Sequence, residues 1–270
     1  MPAEQEQTSE VSSWIDALVA RHTQSLSRPE LLKAIRALSA WYVERRSELP
    51  GRSPTDSAGK RAAFAAFFAP LHLLTTLEIV RALGIPDRPV TRIMDLGCGT
   101  GASSAGWALA CPDRPEIAGV DRQSWSLDEA AWNWRTLGLR GRRQRGDLVR
   151  AAADLARLSS GRRAAGRTAV LAAWSVNELD ERARAALLPV LLALADQRHD
   201  VLVIEPLAGA ATPWWPAWQR AWLDRGGRAD AWKFHASLPA VLADLSEAAG
   251  FRRESLTAKT LWLAASPAAR

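Results

Sequence analysis

The segment 92–106, RIMDLGCGTGASSAG, constrains the fold of this chain more than any other stretch. Its first residues have the apolar character of a buried strand, and its small residues from Ala102 onwards are typical of a helix start. Gly97, Gly99 and Gly101 lie between them, where glycine permits turn conformations and a close approach of a ligand to the backbone. The helix start adds unpaired N–H groups and a partial positive charge. The segment therefore predicts a strand–turn–helix unit that binds a ligand at its turn.

Two classes of ligand use such a turn. Gly97, Gly99 and Ala102 fit the relaxed form of the dinucleotide pattern G-x-G-x-x-G/A. Asp95 favours S-adenosylmethionine instead, because a carboxylate at the strand end would repel a pyrophosphate but suits a ligand with a cationic amino-acid group. A purely structural turn is the third interpretation.

Strands and helices alternate from Val90 onwards, which predicts a parallel sheet with helices on both faces. The predicted strands are 91–96, 117–121, 142–146, 168–174, 201–205, 251–257 and 259–264. The predicted helices are 102–110, 125–137, 148–159, 180–196, 214–225 and 237–249. The last two strands predict a terminal hairpin that inserts an antiparallel strand into the sheet.

Residues 1–88 show helical rather than alternating periodicity. The pattern predicts polar, frayed residues 1–10, then helices over 12–25, 28–48 and 57–83, with Ser27 as an N-cap and a loop at 49–54. Pro70 should kink or split the third helix. We therefore expect two domains, a helical N-terminal cap or substrate region (1–88) and a ligand-binding domain (89–270).

The run Asp95–Gly101, DLGCGTG, resembles the first motif of the class I S-adenosylmethionine-dependent methyltransferases. The resemblance covers about residues 90–265. It implies an α/β fold, a Rossmann-like seven-stranded, mostly parallel sheet with a terminal antiparallel strand, here preceded by a helical N-terminal extension. It also implies S-adenosyl-L-methionine as the cofactor and methyl transfer as the activity.

Several positions are expected to hold that cofactor. Asp121 closes the second strand, where an acid can accept both ribose hydroxyls. Asp147 follows the third strand and is placed to accept from the adenine amino group, although a surface turn is the alternative. Cys98 is expected to be a small buried filler. The full set of expected cofactor-binding residues is Asp95, Gly97, Cys98, Gly99, Gly101, Asp121, Arg122, Asp147, Leu148 and Trp174.

Four residues are candidates for catalysis. Asn177 and Glu178 follow the fourth strand at the edge where open α/β sheets bind ligands, although capping of the next helix is an alternative role for Asn177. His72 and His235 are candidate general bases because imidazole titrates near neutral pH, and simple packing is the alternative for both. No metal site is expected.

Two segments also resemble a narrower group. Residues 175–179 (SVNEL) and 201–206 (VLVIEP) are similar to the methyltransferase-like family linked to mitochondrial small-ribosomal-subunit assembly and its bacterial relatives. The glycine-threonine-proline that usually follows the Glu-Pro pair is absent here, as is the cysteine cluster of some members. This resemblance implies a ribosomal partner.

The chain has 13 tryptophans, and four of them, Trp214, Trp215, Trp218 and Trp222, follow the fifth strand. Their spacing forms one helical face, which favours packing, while a substrate lid is the alternative. Trp125, Trp132 and Trp134 are expected beside the ribose-binding turn.

Composition narrows the function further. The net charge is +6, and only four of the 35 basic residues are lysines. No apolar run suggests a leader or a membrane span, so we expect a cytoplasmic protein without a membrane partner. The sequence favours methyl transfer to a small aromatic or apolar molecule. The alternatives are a ribosomal RNA methyltransferase or assembly factor, since arginine richness is compatible with RNA, and a non-catalytic nucleotide-binding protein.

Overall fold

A computed structural model describes residues 2–24, 26–44, 55–88, 90–160, 167–208, 212–251 and 254–265. Its centre is a seven-stranded sheet in the order β3-β2-β1-β4-β5-β7-β6. The strands are β1 (Arg92–Leu96), β2 (Glu116–Asp121), β3 (Gly141–Arg145), β4 (Thr168–Ala173), β5 (Asp200–Glu205), β6 (Arg228–His235) and β7 (Ser255–Leu263). Strands β1 to β5 pair in parallel, whereas β7 is antiparallel to both β5 and β6. The predicted fold class is confirmed.

The prediction of a terminal hairpin is right about an inserted antiparallel strand and wrong about that strand's partner. The stretch from 251 to 264 contributes one strand, β7, and its antiparallel partner β6 comes earlier in the chain. Strand β6 was missed because it is an edge strand that carries charged residues such as Asp230 and Lys233, a feature that protects sheet edges.

Six helices follow β1 in the chain and cover the two faces of the sheet. They are α5 (Ala102–Ala110), α6 (Ser124–Thr136), α7 (Leu148–Ser159), α8 (Glu181–Asp196), α9 (Trp215–Leu223) and α10 (Ala240–Ala248). All six lie within a few residues of the predicted ranges. One buried cluster joins α5, α6 and α10 to the sheet, and a second joins α7, α8 and α9 to its other face.

The N-terminal helices pack on the first of these clusters. Helix α1 (Pro2–His22) includes residues that were expected to be frayed. They are held in place because Gln7 donates to the Leu109 carbonyl and Glu10 pairs with Arg114 at 2.6 Å. Helix α2 spans Arg28–Glu44. The loop predicted at 49–54 lies outside the described residues.

A long helix then precedes β1 in the chain. It comprises α3 (Ala58–Ala63), a π-helical turn (Phe64–Phe68) and α4 (Ala69–Ala82). In the π turn, the Ala69 N–H donates to the Phe64 carbonyl, five residues back. Pro70 follows at once and has no N–H to donate, so the helix widens there where the sequence predicted a kink or a split.

By length and composition alone, the stretch Ala58–Ala82 could cross a membrane, with a mean hydropathy of 1.7 over its most apolar window. The expectation that no apolar run reaches this length is therefore wrong. Within the fold, 78% of that window is buried. The helix packs closely along α5: the Leu73 carbonyl lies 2.4 Å from where a Cβ at Gly106 would stand. This packing in the core explains the apolar character.

Candidate functional site

The glycine turn lies at the carboxyl ends of the parallel strands. Gly97, Gly99 and Gly101 have φ values of +74°, +51° and +72°, the left-handed region that the sequence predicted. A Cβ at Gly97 would stand 2.7 Å from Cβ of Ser175, and one at Gly101 would stand 2.5 Å from Nε1 of Trp134. These two glycines therefore allow close packing beneath the turn.

Gly99 differs from Gly97 and Gly101 because the position that its Cβ would occupy is open. Among the described residues, and apart from its two neighbours in the chain, no heavy atom lies within 4 Å of the position that a Cβ would occupy. Its N–H donates to Oδ2 of Asp121 at 2.9 Å, which ties the turn to the end of β2. The turn thus offers bare backbone to a ligand.

Asp121 is half-buried beside this open backbone. Its Oδ1 accepts from the Gln123 N–H at 2.8 Å and from the Ser126 hydroxyl at 3.2 Å. Each carboxylate oxygen can accept two hydrogen bonds, so the carboxylate is held in place and retains accepting capacity. Three of its four acceptor positions are occupied, so one position remains for a ribose hydroxyl, where the sequence predicted bonds to two.

Asp95 is the most unusual polar group at this edge. It is 1% exposed, and neither of its carboxylate oxygens has a hydrogen-bond partner within the described part of the chain. The nearby Ser104 hydroxyl donates to the Gly101 carbonyl at 3.2 Å. Burial raises the pKa of Asp95 to about 7, an effect that Ser104 opposes and the charge of Asp121 reinforces. A buried acceptor of this kind requires a donor, and a ligand with an ammonium group would supply one.

The other expected cofactor residues have varied surroundings. Asp147 caps α7 by accepting from the Arg150 N–H at 3.0 Å and also pairs with the exposed Arg122. Burial opposes these bonds, but together they hold the pKa of Asp147 below its usual range. Leu148 is buried and lies 3.1 Å from a Cβ position at Gly97. Asp147 thus has a structural role as a helix cap, close to the surface-turn alternative, and its predicted contact with adenine stays a prediction.

Cys98 is buried, as expected for a filler. Its Sγ would stand 2.8 Å from a Cβ at Gly119, the glycine of β2 that faces it. Burial raises the pKa of the thiol well above its usual value, with the charges of Asp95 and Asp121 adding to the effect. A neutral, enclosed thiol serves packing rather than nucleophilic chemistry.

A short turn, Val176–Glu178, follows β4 and carries two catalytic candidates. The N–H groups of Val176 and Asn177 both donate to Oε1 of Glu205, each at 3.1 Å. Oδ1 of Asn177 is buried without a partner among the described residues. Glu178 is exposed, and the surrounding protein and the charge of Asp121 raise the pKa of its carboxyl to about 7.

Four half-buried aromatic side chains contact one another in a row that starts at Trp174, two residues before this turn, and we call them the aromatic set: Phe64, His72, Trp125 and Trp174. His72 stacks on Trp174 with ring centroids 4.0 Å apart and planes 5° from parallel. Phe64 contacts His72 edge-on at 5.8 Å and Trp125 at 6.4 Å. The π turn of the N-terminal helix supplies Phe64, so the helical extension reaches the ligand-binding edge of the sheet.

The structure does not bring every candidate to this place. His235 is exposed at the end of β6, four strands from β1, which corresponds to about 19 Å. Trp215, Trp218 and Trp222 are buried between α9 and the sheet, so the packing interpretation of this group is confirmed. Trp134 is also in the core, against the glycine turn.

Sequence reasoning missed Glu205 and Phe64 as parts of the site. Glu205 was noted only within a Glu-Pro resemblance, and Phe64 only as an inward helical residue. A charged residue directly after the apolar run 201–204 of strand β5 was the available signal for Glu205. In the described residues, no group of three or more histidine, cysteine or acidic side chains could hold a metal ion.

No family model matches the sequence, and no curated protein matches it. Solved structures do match. An O-methyltransferase family protein from Burkholderia thailandensis is 16% identical over 88% of this chain and 73% of that chain, with a TM-score of 0.51. A precorrin-6y C5,15-methyltransferase from Geobacter metallireducens is 12% identical over 72% and 87%, with a TM-score of 0.45. A ribosomal protein L11 methylase from Lactobacillus delbrueckii is 14% identical over 73% and 78%, with a TM-score of 0.41.

Proposed function

We propose that this chain, which has the fold of the class I S-adenosylmethionine-dependent methyltransferases, binds S-adenosylmethionine and transfers its methyl group to a small aromatic molecule. A fold alone does not establish an activity, so the proposal depends on the site. The observation that carries it is Asp95, a buried carboxylate without a partner among the described residues, next to a glycine turn whose backbone is open at Gly99.

The residues present fit this cofactor. Asp95 and the glycine turn would hold the methionine portion, Asp121 the ribose, and Leu148 the adenine side. Asp95, Asp121 and Glu178 interact electrostatically at one edge of the sheet. Such a group of carboxylates suits a cationic ligand and repels the pyrophosphate of a dinucleotide.

The aromatic set favours a flat, apolar acceptor. Its rings form an apolar surface beside Glu178, and aromatic surfaces bind other rings through stacked or edge-to-face contacts. Arg61, which is exposed, lies 5.6 Å above Trp125 at the rim. The tryptophan-rich helix α9 packs elsewhere, so in this proposal the acceptor lies against the aromatic set and not beneath a lid formed by α9.

The positions of the arginines argue against RNA as the acceptor. Arg142 and Arg143 lie on β3 at the outer edge of the sheet, and they pair with Glu116 and Asp128, respectively. Ion pairs of this kind neutralise the charge that would bind phosphates.

Chemistry at the site would rest on alignment and on one proton acceptor. When bound, S-adenosylmethionine supplies an electrophilic methyl group on a sulfonium. The aromatic set orients the acceptor and excludes water, which can account for much of the rate enhancement. The Glu178 carboxylate accepts the proton that the acceptor atom releases as it takes the methyl group. Its pKa of about 7 suits proton transfer at neutral pH.

The test is methyl transfer from methyl-labelled S-adenosylmethionine to a panel of small phenols, aromatic amines and indoles, with single-stranded RNA as a parallel acceptor. Trp125→Ala should raise KM for the aromatic acceptor about tenfold, since it removes part of the aromatic set. Trp214→Ala is the matched control, because Trp214 is also half-buried but packs beside Trp215 and Trp218 on α9.

Two outcomes would contradict the proposal. Labelling of RNA with a steep salt dependence, and of no small molecule, would favour the RNA alternative. Tight cofactor binding without transfer to any acceptor would favour a non-catalytic role.

A further inference from the structure

We propose that Glu205 is a positioning residue that holds the segment Trp174–Glu178 in its working geometry, and this inference rests on the proposed function. Glu205 ends β5 and is 0% exposed. One of its carboxylate oxygens accepts from two successive backbone N–H groups, those of Val176 and Asn177, at 3.1 Å each. Its other oxygen has no hydrogen-bond partner within the described part of the chain.

The held segment contains a strained residue. Trp174 has a φ of +52°, in the left-handed region where a bulky side chain is uncommon. Such a conformation persists only when the surrounding structure fixes it from several sides. The Trp174 N–H donates to the Ile204 carbonyl at 2.8 Å, and the Ser175 hydroxyl donates to the Leu96 carbonyl at 2.9 Å. Glu205 provides the third attachment, immediately after Ser175.

This attachment links both halves of the site. On one side of it, Trp174 presents its ring to His72, 4.0 Å away. On the other side, Glu178 brings its carboxylate near Asp121. Without Glu205, two buried N–H groups would lose their acceptor, and the strain at Trp174 would be free to relax. Both the aromatic set and the proton acceptor would then move.

Charged groups on neighbouring elements define the electrostatics of Glu205. Glu178 approaches it from the turn, with Asp121 beyond, and Lys259 lies opposite it on β7. The Lys259 ammonium donates to the Thr212 hydroxyl and lies 4.6 Å from the centre of the Trp215 ring. Burial raises the pKa of Glu205 to about 8, and the charge of Glu178 adds to that effect while Lys259 opposes it.

A protonated Glu205 and a glutamine carry the same charge and present the same accepting oxygen. Glutamine also has the same length as glutamate, so its oxygen can accept from both the Val176 and the Asn177 N–H groups. Glu205→Gln should therefore behave as the wild type does. Glu205→Leu removes both hydrogen bonds at similar volume. Glu205→Asp keeps the carboxylate but is one methylene shorter, so it cannot reach both N–H groups. It therefore tests the hydrogen bonds even if the leucine variant does not fold.

The first readout is hydrogen exchange at the Val176 and Asn177 amides, which needs no ligand. We expect exchange roughly tenfold faster in Glu205→Leu and Glu205→Asp, and unchanged in Glu205→Gln. Asp200→Asn is the matched control, since Asp200 is the buried carboxylate at the other end of the same strand. Unchanged protection in Glu205→Leu, or loss of protection in Glu205→Gln, would overturn the proposal.

The second readout is the preference for S-adenosylmethionine over S-adenosylhomocysteine, measured by calorimetry from pH 6 to pH 8. The two differ by the sulfonium charge, so an ionised Glu178 should favour the former by about tenfold. The contribution of Glu178 is the difference between wild type and Glu178→Gln. Glu205→Leu should lose this contribution and Glu205→Gln should keep it, whereas equal behaviour of the two would contradict a positioning role.

The two readouts separate the proposals. If the wild type binds neither compound, the proposed function fails, while amide exchange still decides whether Glu205 holds the turn.

Discussion

Strand β5 begins and ends with a buried carboxylate, and the two have opposite surroundings. Asp200, at its start, accepts from Arg167 at 3.0 Å and from the Ala265 N–H at 2.8 Å, and pairs with Arg88 at 3.5 Å. Glu205, at its end, accepts from two backbone N–H groups, and among the described residues no arginine pairs with it. Both are 0% exposed, so burial alone does not explain the difference.

The same contrast extends to the two ends of the parallel strands, the amino end where β5 begins and the carboxyl end where it stops. At the amino end, two arginines compensate the buried charge. At the other end, burial raises the pKa values of the two enclosed acids, Asp95 to about 7 and Glu205 to about 8. Uncompensated acids reduce stability, and natural proteins retain such groups where a ligand completes the site. The first end stabilises the fold, and in the proposed function the second end binds a cationic ligand.

The largest expected effect is on how stability depends on pH. The folded-state pKa of Asp95 lies above its unfolded value, so the folded protein binds more protons and loses stability as pH rises from about 4 to 7. The loss from Asp95 alone is about 4 kcal/mol. Urea unfolding of wild type and Asp95→Asn across this range should show a flatter profile for the variant, and parallel profiles would contradict the contrast.

Asparagine substitutions at the two ends should have opposite consequences. Asp200→Asn leaves Arg167 and Arg88 without their carboxylate and should cost about 3 kcal/mol of unfolding free energy, with ligand affinity unchanged. Asp95→Asn should leave the protein at least as stable at pH 8 but weaken S-adenosylmethionine binding about 100-fold. Chemical denaturation and calorimetry on both variants test this, and a strongly destabilised Asp95→Asn would break the comparison.

The smallest expected effect is a difference in ligand affinity between alanine variants of two glycines, one at each end of the parallel strands. Gly99 and Gly84 both have positive φ, +51° and +65°, and among the described residues, apart from chain neighbours, neither has a heavy atom within 4 Å of a Cβ position. Alanine at either position should cost about 1 kcal/mol of stability because of the left-handed backbone. Only Gly99→Ala should weaken cofactor binding, since its Cβ would enter the open side of the turn. Equal ligand affinities in the two variants would show that Gly99 does not face the ligand.

The parts of this molecule that the sequence predicted are those encoded by neighbouring residues. The glycine turn, the five parallel strands and the helices between them follow from local spacing. Asp95 was identified because it lies two residues before the first glycine of that turn.

The rest depends on contacts between distant segments. Glu205 meets Val176 across 29 positions of chain, and His72 meets Trp174 across more than a hundred. Local periodicity carries no record of such pairings. Strand β6 alternates over only its last few residues, where half-buried Trp232 and Phe234 lie between exposed Lys233 and His235, and this run is too short to stand out among charged residues.

The most direct test of the central claim is calorimetric titration of the wild-type protein with S-adenosylmethionine, S-adenosylhomocysteine and NAD. We predict binding of the first two at one site per chain, a loss of affinity for S-adenosylmethionine in Asp95→Asn, and no binding of NAD. Binding of NAD in place of S-adenosylmethionine, or unchanged affinity in Asp95→Asn, would contradict the account.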